Sequence, residues 1–271
     1  MADSGFDTNL DLDNLEHMSA AEADELLRWY EEAHGDGQGD LTPFVPFFIE
    51  HNPSALKLYR AYAQALDQDG GLPQLVVALL FLHYYMLRGN ERGVLYEVVA
   101  ARVWGATKRE VLETIELTFV ESGPLGGNAA SLSSDYLKDW PDVEPRAVEG
   151  VWPEHWVRDE DPRTVDEDSA TWALFNAHAP NALDALRRRW HFAQADKELP
   201  DVMQTFYGLH CAVADGRAEA AAQEAAHALR LGARPSEILE VVGFGALYSD
   251  RLKLEEVCRA VGSTFELAPP A

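Results

Sequence analysis

An internal repeat without gaps constrains the fold of this chain more than any other feature of its sequence. When residues 51–122 are moved forward by 127 positions, they fall on residues 178–249 with 19 identities in 72 positions. Several identities are prolines and glycines, which have specific backbone roles: Pro53 and Pro180, Pro73 and Pro200, Gly89 and Gly216, and Gly105 and Gly232. A long ungapped register with matched helix breakers indicates two copies of one structural unit.

The stretches between these breakers are rich in alanine, leucine, glutamate and arginine and lack alternating β-branched runs, which favours helices. Ser19 with Glu22, and Thr107 with Glu110, have the spacing of capping boxes that begin helices. The pattern predicts helices over 20–34, 53–67, 73–88, 91–104 and 108–121. One such module would leave an apolar face exposed, and a second copy can cover it. We therefore predict an all-α fold of two tandem helical modules related by a pseudo-two-fold axis.

Composition divides the chain into four segments. Residues 1–18 form an acidic lead that we expect to be disordered, and residues 19–122 form the first helical module. Residues 123–168 are rich in glycine, proline and charge, and they are predicted to be a connector with one short helix near 130–138. Helical periodicity then resumes, so residues 169–271 are assigned to the second helical module.

The charge balance excludes some classes of partner. The net charge is −24, from 22 basic and 46 acidic residues, which argues against nucleic-acid binding because phosphate contacts need clustered lysine and arginine. No run of 18 apolar residues occurs, so no membrane span is expected. The acidic start lacks the basic and apolar blocks of a signal peptide. We expect a cytoplasmic protein that acts on a small molecule.

The two cysteines are Cys211 and Cys258, and they do not form a CxxC motif. A local dithiol redox pair is therefore not encoded. We expect both to be buried, unreactive thiols.

One pair of polar residues recurs in both copies. His83 and Glu97 in the first copy match His210 and Glu224 in the second, and the members of each pair lie 14 residues apart, on either side of a turn. Two antiparallel helices joined by a short turn would place such residues at the same height, about 10 Å from the turn at 1.5 Å per residue. The rotation of each helix, which decides whether the side chains meet, does not follow from the spacing.

Three interpretations of these pairs remain open. A histidine and a carboxylate can act as general base and general acid, they can bind a metal, or they can form a hydrogen bond that only joins two helices. A metal site would gain His227, three residues after Glu224, but the first copy has Ala100 at that position. We expect neither a metal nor a cofactor.

Each copy also contains a Gly-Ala-x-x-x-Glu signature that opens an apolar helix, at residues 105–115 and 232–242, and each begins with Pro-x-Ala-Leu. This pattern resembles the carboxymuconolactone decarboxylase and alkylhydroperoxidase D superfamily. The resemblance covers roughly residues 20–122 and 170–262. It implies an all-helical fold and symmetric oligomers, so we expect a homo-oligomer, most simply a trimer of fused pairs.

The peroxidase branch of that superfamily uses a CxxC motif followed one turn later by a histidine. The matching cysteine positions here hold Asn90 and Gly93 in one copy and Arg217 and Ala220 in the other, and the histidine positions hold Glu97 and Glu224. The resemblance therefore favours the decarboxylase branch over thiol peroxidase chemistry.

The function predicted from the sequence is a cofactor-free acid–base enzyme of lyase or decarboxylase type that acts on a small organic acid or lactone. The candidate catalytic residues are His210 and Glu224, with His83 and Glu97 as the matched pair. An alkylhydroperoxidase-like antioxidant protein, and a non-catalytic scaffold or binding protein of the same fold, are the alternatives.

Overall fold

The computed structural model describes residues 8–34, 44–142, 151–156, 170–194 and 197–267. All regular secondary structure within these ranges is helical, which confirms the all-α prediction. The helices are α1 (Ala20–His34), α2 (Phe44–His51), α3 (Pro53–Gly70), α4 (Gln74–Leu87), α5 (Glu91–Val103), α6 (Lys108–Ser122), α7 (Pro124–Ala130), α8 (Ser134–Asp139), α9 (Ala170–His178), α10 (Pro180–Gln194), α11 (Val202–Asp215), α12 (Ala218–Arg230), α13 (Pro235–Ala246) and α14 (Arg251–Leu267).

The helix starts follow the predicted caps. The backbone N–H of Glu22 donates to Ser19 Oγ at 3.3 Å, and the N–H of Ser19 donates back to Glu22 Oε2 at 2.8 Å. Thr107 and Glu110 form the same reciprocal pair at the start of α6. Both capping boxes are thus confirmed, and α1, α3, α4, α5 and α6 lie within a few residues of their predicted bounds.

The acidic lead is ordered where the structure describes it. Lys57 Nζ donates to the carbonyl oxygens of Asp11 at 3.0 Å and Asn14 at 3.1 Å, and Thr8 bonds to Gln64. In this segment, where disorder was expected, the carbonyl groups of Asp11 and Asn14 thus satisfy a buried lysine. Residues 1–7 lie outside the described residues.

Two helices were not predicted: α2, which contains Pro46, and α7. The 3₁₀ turn at Ser131–Ser133 and α8 lie where one short helix was predicted in the connector, near 130–138. Glycine inside α7 has a packing role, since a Cβ at Gly126 would lie 2.0 Å from Ser122 Oγ. The absence of a side chain lets α7 lie close to α6 and α4.

The core is built around α4 and α11, which pack against each other and are buried over most of their length. Helix α4 also packs against α5 and α6, and α11 packs against α12 and α13. Besides α4 with α11, two further pairs of helices cross between the halves of the chain: α3 packs on α13, and α10 packs on α6. Side chains from α4 and α11 therefore meet at the centre of the molecule. Across the part of the chain that is described, no helix has both the length and the apolar character needed to cross a bilayer.

Candidate functional site

His83 lies in α4 and is held by three neighbours from other helices. Its Nε2 lies 3.1 Å from Glu121 Oε2 in α6, and its Nδ1 lies 3.6 Å from Cys211 Sγ in α11. Its ring stacks on Tyr207, with centroids 4.6 Å apart and an interplanar angle of 8°. Both ring nitrogens are occupied, so the predicted contact with Glu97 is not formed.

Opposing effects set the charge of His83. Its ring is 1% exposed, and burial alone would lower the pKa of the imidazole. Hydrogen bonds with Cys211 and Glu121 outweigh burial and raise the pKa of His83 to about 9. A histidine with a raised pKa is protonated at neutral pH.

His210 in α11 has a very different environment, although it occupies the matching position of the repeat. It is completely buried against the edges or faces of Phe81, Tyr84 and Tyr248, at centroid distances of 5.5, 5.2 and 6.3 Å. Among the described residues, neither ring nitrogen has a partner with normal hydrogen-bond geometry, and the backbone of Phe244 only partly offsets the effect of burial on the pKa.

Burial, followed by repulsion from His83, lowers the pKa of His210 to about 3. A carboxylate partner would have the opposite effect and raise this pKa above its ordinary value. Glu224, the partner suggested by the sequence, does not bond to His210. Glu224 instead faces Gly208, where an added Cβ would lie 2.6 Å from Glu224 Oε1. The glycine leaves the space that the carboxyl group occupies.

Glu97 in α5, one of the four predicted site residues, lines a cavity. The cavity has about 110 Å³ of internal room and lies among α1 to α5 and α13. Nine aromatic side chains contribute to its wall, including Trp29, Tyr30, Tyr96 and Phe244. Engineered cavities of about 150 Å³ bind benzene. This cavity is therefore suited to a compact molecule of that order of size or smaller.

The carboxyl group of Glu97 is buried and forms no hydrogen bond or ion pair with a described residue. The side chain is 5% exposed, and burial raises its pKa well above the ordinary value. Desolvation penalises the charged form, and no opposite charge compensates for it. The cavity thus presents a carboxylic acid that keeps its proton at a pH where an exposed glutamate has lost it.

Arg60 and Asp67 of α3 add charge to the same cavity wall. The guanidinium of Arg60 lies over the ring of Trp29, 3.7 Å from its centroid, and Arg60 is 4% exposed. A cation on an aromatic face inside a cavity can receive the carboxylate or carbonyl oxygen of a ligand.

Sequence reasoning missed Glu121, Cys211 and Tyr207 as neighbours of His83. Glu121 lies 38 residues from His83 and on a different predicted helix, so no local spacing connects them. Cys211 occupies the position that matches Tyr84 in the 127-residue offset, and Tyr84 contacts His210 in the structure, but the sequence alone reveals neither contact. Cys211 is buried as expected, whereas Cys258 is exposed, which corrects the prediction for the second thiol.

In the described ranges, no three histidine, cysteine, aspartate or glutamate side chains are placed to hold a metal ion. Comparison of the chain with protein-family models, curated proteins and solved structures finds no match.

Proposed function

We propose that this chain is a cofactor-free acid–base enzyme of lyase type, with Glu97 as the proton-transferring residue. The observation that carries the proposal is the buried, unpartnered carboxyl group of Glu97 in a cavity, with its pKa raised by desolvation. Raising the pKa of a glutamate toward neutrality is the usual way for a protein to make it an efficient general acid or base.

The cavity defines the class of substrate. Its aromatic wall suits a flat, largely apolar skeleton, and Arg60 supplies a positive charge for a carboxylate or a carbonyl oxygen. A small organic acid or a five-membered lactone fits both requirements. The protonated Glu97 donates its proton to a carbon or oxygen atom that gains electron density, and the resulting carboxylate then accepts a proton from the next substrate or from water.

The resemblance stated above agrees with this role. Glu97 stands at the helix position where the superfamily carries its histidine, so the same place in the module keeps a proton-transferring group of a different kind. Membership of the carboxymuconolactone decarboxylase and alkylhydroperoxidase D superfamily is part of the proposal.

Reciprocal contacts support the duplication and the pseudo-two-fold axis. Glu113 of the first module accepts the N–H of Leu199 at 3.2 Å, and Glu240 of the second accepts the N–H of Leu72 at 2.8 Å. In each case the partners are matched by the 127-residue offset. The crossing contacts of α3 with α13 and of α10 with α6 are matched in the same way.

The ion pair between Arg88 and Asp215 supports the same axis. These residues occupy equivalent positions of the repeat, and the Arg88 Nη2 contacts Asp215 Oδ1. Two equivalent positions that contact each other lie close to the symmetry axis that relates them.

We also propose a homo-oligomer, with a trimer of the whole chain as the simplest form. Large apolar side chains are exposed on α2 and α3, with Phe47 55% and Leu58 52% exposed. Light scattering at micromolar concentration should report a mass of about three times the 30.1 kDa of one chain. A strict monomer would contradict this part of the proposal.

The enzyme proposal is tested with small keto acids, including acetoacetate, and with five-membered lactones, including α-angelica lactone. Proton NMR in D₂O follows decarboxylation, double-bond isomerisation and deuterium uptake at carbon. Quenching of tryptophan fluorescence reports binding independently, because Trp29 and Trp104 line the cavity. We expect Glu97→Gln to lower turnover by roughly 10²-fold or more, the scale of a lost acid or base.

Glu91→Gln is the matched control, because Glu91 is an exposed glutamate at the start of the same helix. It should leave turnover unchanged. Full turnover by a folded Glu97→Gln variant would overturn the assignment, and loss of turnover in Glu224→Gln instead would return the role to the pair predicted from sequence. Binding without turnover of any compound would identify a non-catalytic binding protein.

A further inference from the structure

An apolar groove lies beside the Glu97 cavity, between α2 and α3. It has about 350 Å³ of room, against about 110 Å³ for the cavity. The described residues that line it are all apolar or aromatic, and they are Phe44, Phe48, Ala55, Leu56 and Tyr59. The proton transfer proposed for Glu97 makes no use of this space.

Two aromatic rings belong to both spaces. Phe44 and Tyr59 line the groove and also the cavity. The rings meet edge to face, with centroids 6.4 Å apart and an interplanar angle of 81°. Both reach solvent, since Phe44 is 38% and Tyr59 is 39% exposed. Side chains that reach solvent change rotamer readily, so a flexible chain can pass from one space to the other where these rings stand.

The two spaces differ in chemistry. The cavity wall carries the guanidinium of Arg60 and the carboxyl groups of Asp67 and Glu97, whereas no described residue of the groove wall carries a charge. Arg60 is 4% exposed and favours a carboxylate or carbonyl head in the cavity, while Asp67 disfavours a second anionic group. A molecule that fills both spaces therefore has one polar head and a tail without polar atoms.

We propose that the groove binds the alkyl tail of a ligand whose carboxylate or keto-acid head lies in the Glu97 cavity. The substrate class is then a carboxylic or keto acid with a linear alkyl chain. This inference rests on the proposed use of the cavity for a small organic acid. A linear chain fits better than a rigid ring, because it can bend between Phe44 and Tyr59.

The residues that favour association of copies lie outside the groove. Phe47 and Leu58 are on the same two helices and are 55% and 52% exposed, but neither lines the groove. An oligomer that buries these two side chains can therefore leave the groove accessible to a ligand.

The test measures how affinity depends on the length of the tail. Isothermal titration calorimetry of the full-length protein with butanoate, hexanoate, octanoate and decanoate, each below its micelle concentration, gives Kd without any reaction. We expect Kd to fall roughly fourfold for each methylene that enters the groove, the scale of burying one methylene. Equal affinity across the series would overturn the proposal.

One variant tests whether the groove causes this dependence. Ala55→Leu places a larger side chain in the groove, so the gain with chain length should be reduced or lost while the affinity for butanoate stays the same. Ala61→Leu is the matched control, because Ala61 lies on the same helix and lines neither the groove nor the cavity. Circular dichroism confirms that both variants fold. An undiminished dependence on chain length in Ala55→Leu would place the tail elsewhere and overturn the proposal.

Light scattering separates the ligand from a second copy of the chain as the occupant of the groove. We expect the mass to be the same with and without decanoate, and the same in wild type and Ala55→Leu. If both decanoate and Ala55→Leu lower the mass, the groove is an interface between copies and the proposal is wrong.

Failure of this proposal is distinguishable from failure of the enzyme proposal. Glu97→Gln should keep the dependence of Kd on chain length even where it abolishes turnover. Turnover of acetoacetate combined with equal binding of all four acids would refute the tail site alone. Binding that strengthens with chain length, without turnover of the corresponding 3-oxo acids, would refute the enzyme alone.

Discussion

The carboxyl group of Glu240 in α13 accepts the backbone N–H of Leu72 at 2.8 Å, immediately before the start of α4. Glu240 is 1% exposed, and the bond connects the second half of the chain to the first. Glu113 in α6 makes the corresponding contact in the opposite direction, from the first half of the chain to the second. It accepts the N–H groups of Glu198 at 2.8 Å and Leu199 at 3.2 Å. Glu240 therefore holds the segment that precedes α4, and Glu113 holds the segment that precedes α11.

Glu240→Ala should lower the free energy of unfolding by about 1–3 kcal/mol, because it leaves a buried N–H group without an acceptor. Glu240→Gln keeps an amide oxygen that can accept the Leu72 N–H, so its loss should be smaller. Urea denaturation at pH 6 measures the free energy of unfolding of both variants. Glu113→Ala, which removes the corresponding acceptor for Glu198 and Leu199, is measured beside them. An equal loss for Ala and Gln at position 240 would show that the hydrogen bond is not the cause.

The stability contribution of Glu240 should depend on pH. Burial, partly offset by the Leu72 N–H, raises its pKa from 4.5 to about 9 in the folded protein. The folded chain keeps a proton that the unfolded chain loses, so this contribution is complete below about pH 4.5 and is lost as pH rises through 9. The Tm of wild type should fall between pH 5 and pH 9 by more than the Tm of Glu240→Gln. Parallel curves for the two proteins would contradict the raised pKa.

Lys57 and Glu22 form an ion pair of 2.6 Å in which the lysine side chain is fully buried. Lys57→Met should destabilise the fold by about 3 kcal/mol, since it leaves a partly buried carboxylate and two carbonyl groups without their donor. Glu32→Gln breaks a surface pair with Arg28 on the same helix and should cost roughly 0–1 kcal/mol. Chemical denaturation at pH 7 measures the loss in the free energy of unfolding for Lys57→Met and for Glu32→Gln.

The stability that the ion pair of Lys57 with Glu22 contributes should also depend on pH. Burial tends to raise the pKa of Glu22, but hydrogen bonds with Lys57, Ser19 and Asp11 outweigh it and lower the pKa to about 2. The stabilisation is therefore present above about pH 4.5 and is lost as pH falls through 2. The stability difference between wild type and Glu22→Gln should shrink over this acid range. A constant difference down to pH 2 would rule out the lowered pKa.

The two central histidines should titrate far apart. His83 should remain protonated at pH 7 and titrate near 9, and His210 should remain neutral down to pH 4, because their pKa values are raised to about 9 and lowered to about 3. Proton NMR of the imidazole Cε1–H signals, assigned with His83→Gln and His210→Gln, measures both. A midpoint between 6 and 7 for either ring would contradict its environment.

Two indole groups of the connector bond to the capping glutamates of the repeat. Trp152 Nε1 donates to Glu110 Oε1 at 2.8 Å, and Trp156 Nε1 donates to Glu237 Oε2 at 3.2 Å. Trp152→Phe should cost about 1–3 kcal/mol in urea denaturation, because the buried Glu110 carboxyl group loses a donor. Trp156→Phe should cost less, because Glu237 Oε2 still accepts the backbone N–H of Arg234 at 2.7 Å. Trp140→Phe is the control, since the Trp140 Nε1 is buried without a hydrogen-bond partner. A cost for Trp140→Phe as large as for the other two would show that volume, not hydrogen bonding, decides the loss.

The sequence predicts helix positions well because caps and breakers are local signals. Ser19 and Thr107 begin helices through their own side chains, and these starts are found where predicted. Local signals failed at Pro46 and at Gly126, where contacts with other helices stabilise a helix that the residues themselves disfavour.

The partners of the site residues could not be predicted in the same way. The sequence spacing sets the positions of His83 and Glu97 along their helices. The rotation of each helix about its axis depends on the other helices that pack against it, which the spacing does not reveal. His83 turns toward α6 and α11, where it meets Glu121 and Cys211, while Glu97 turns toward the aromatic cavity. Prediction from sequence thus identified the polar residues but paired them wrongly.

The Arg88–Asp215 ion pair has an evolutionary consequence. On the proposed axis, two first modules would bring arginine against arginine, and two second modules would bring aspartate against aspartate. A subunit encoded once must carry the same residue on both sides of such a contact, so it can never place opposite charges there. Joining two copies in one chain removes that restriction. Arg88 of the first half then attracts Asp215 of the second half, whereas two identical halves would bring like charges together.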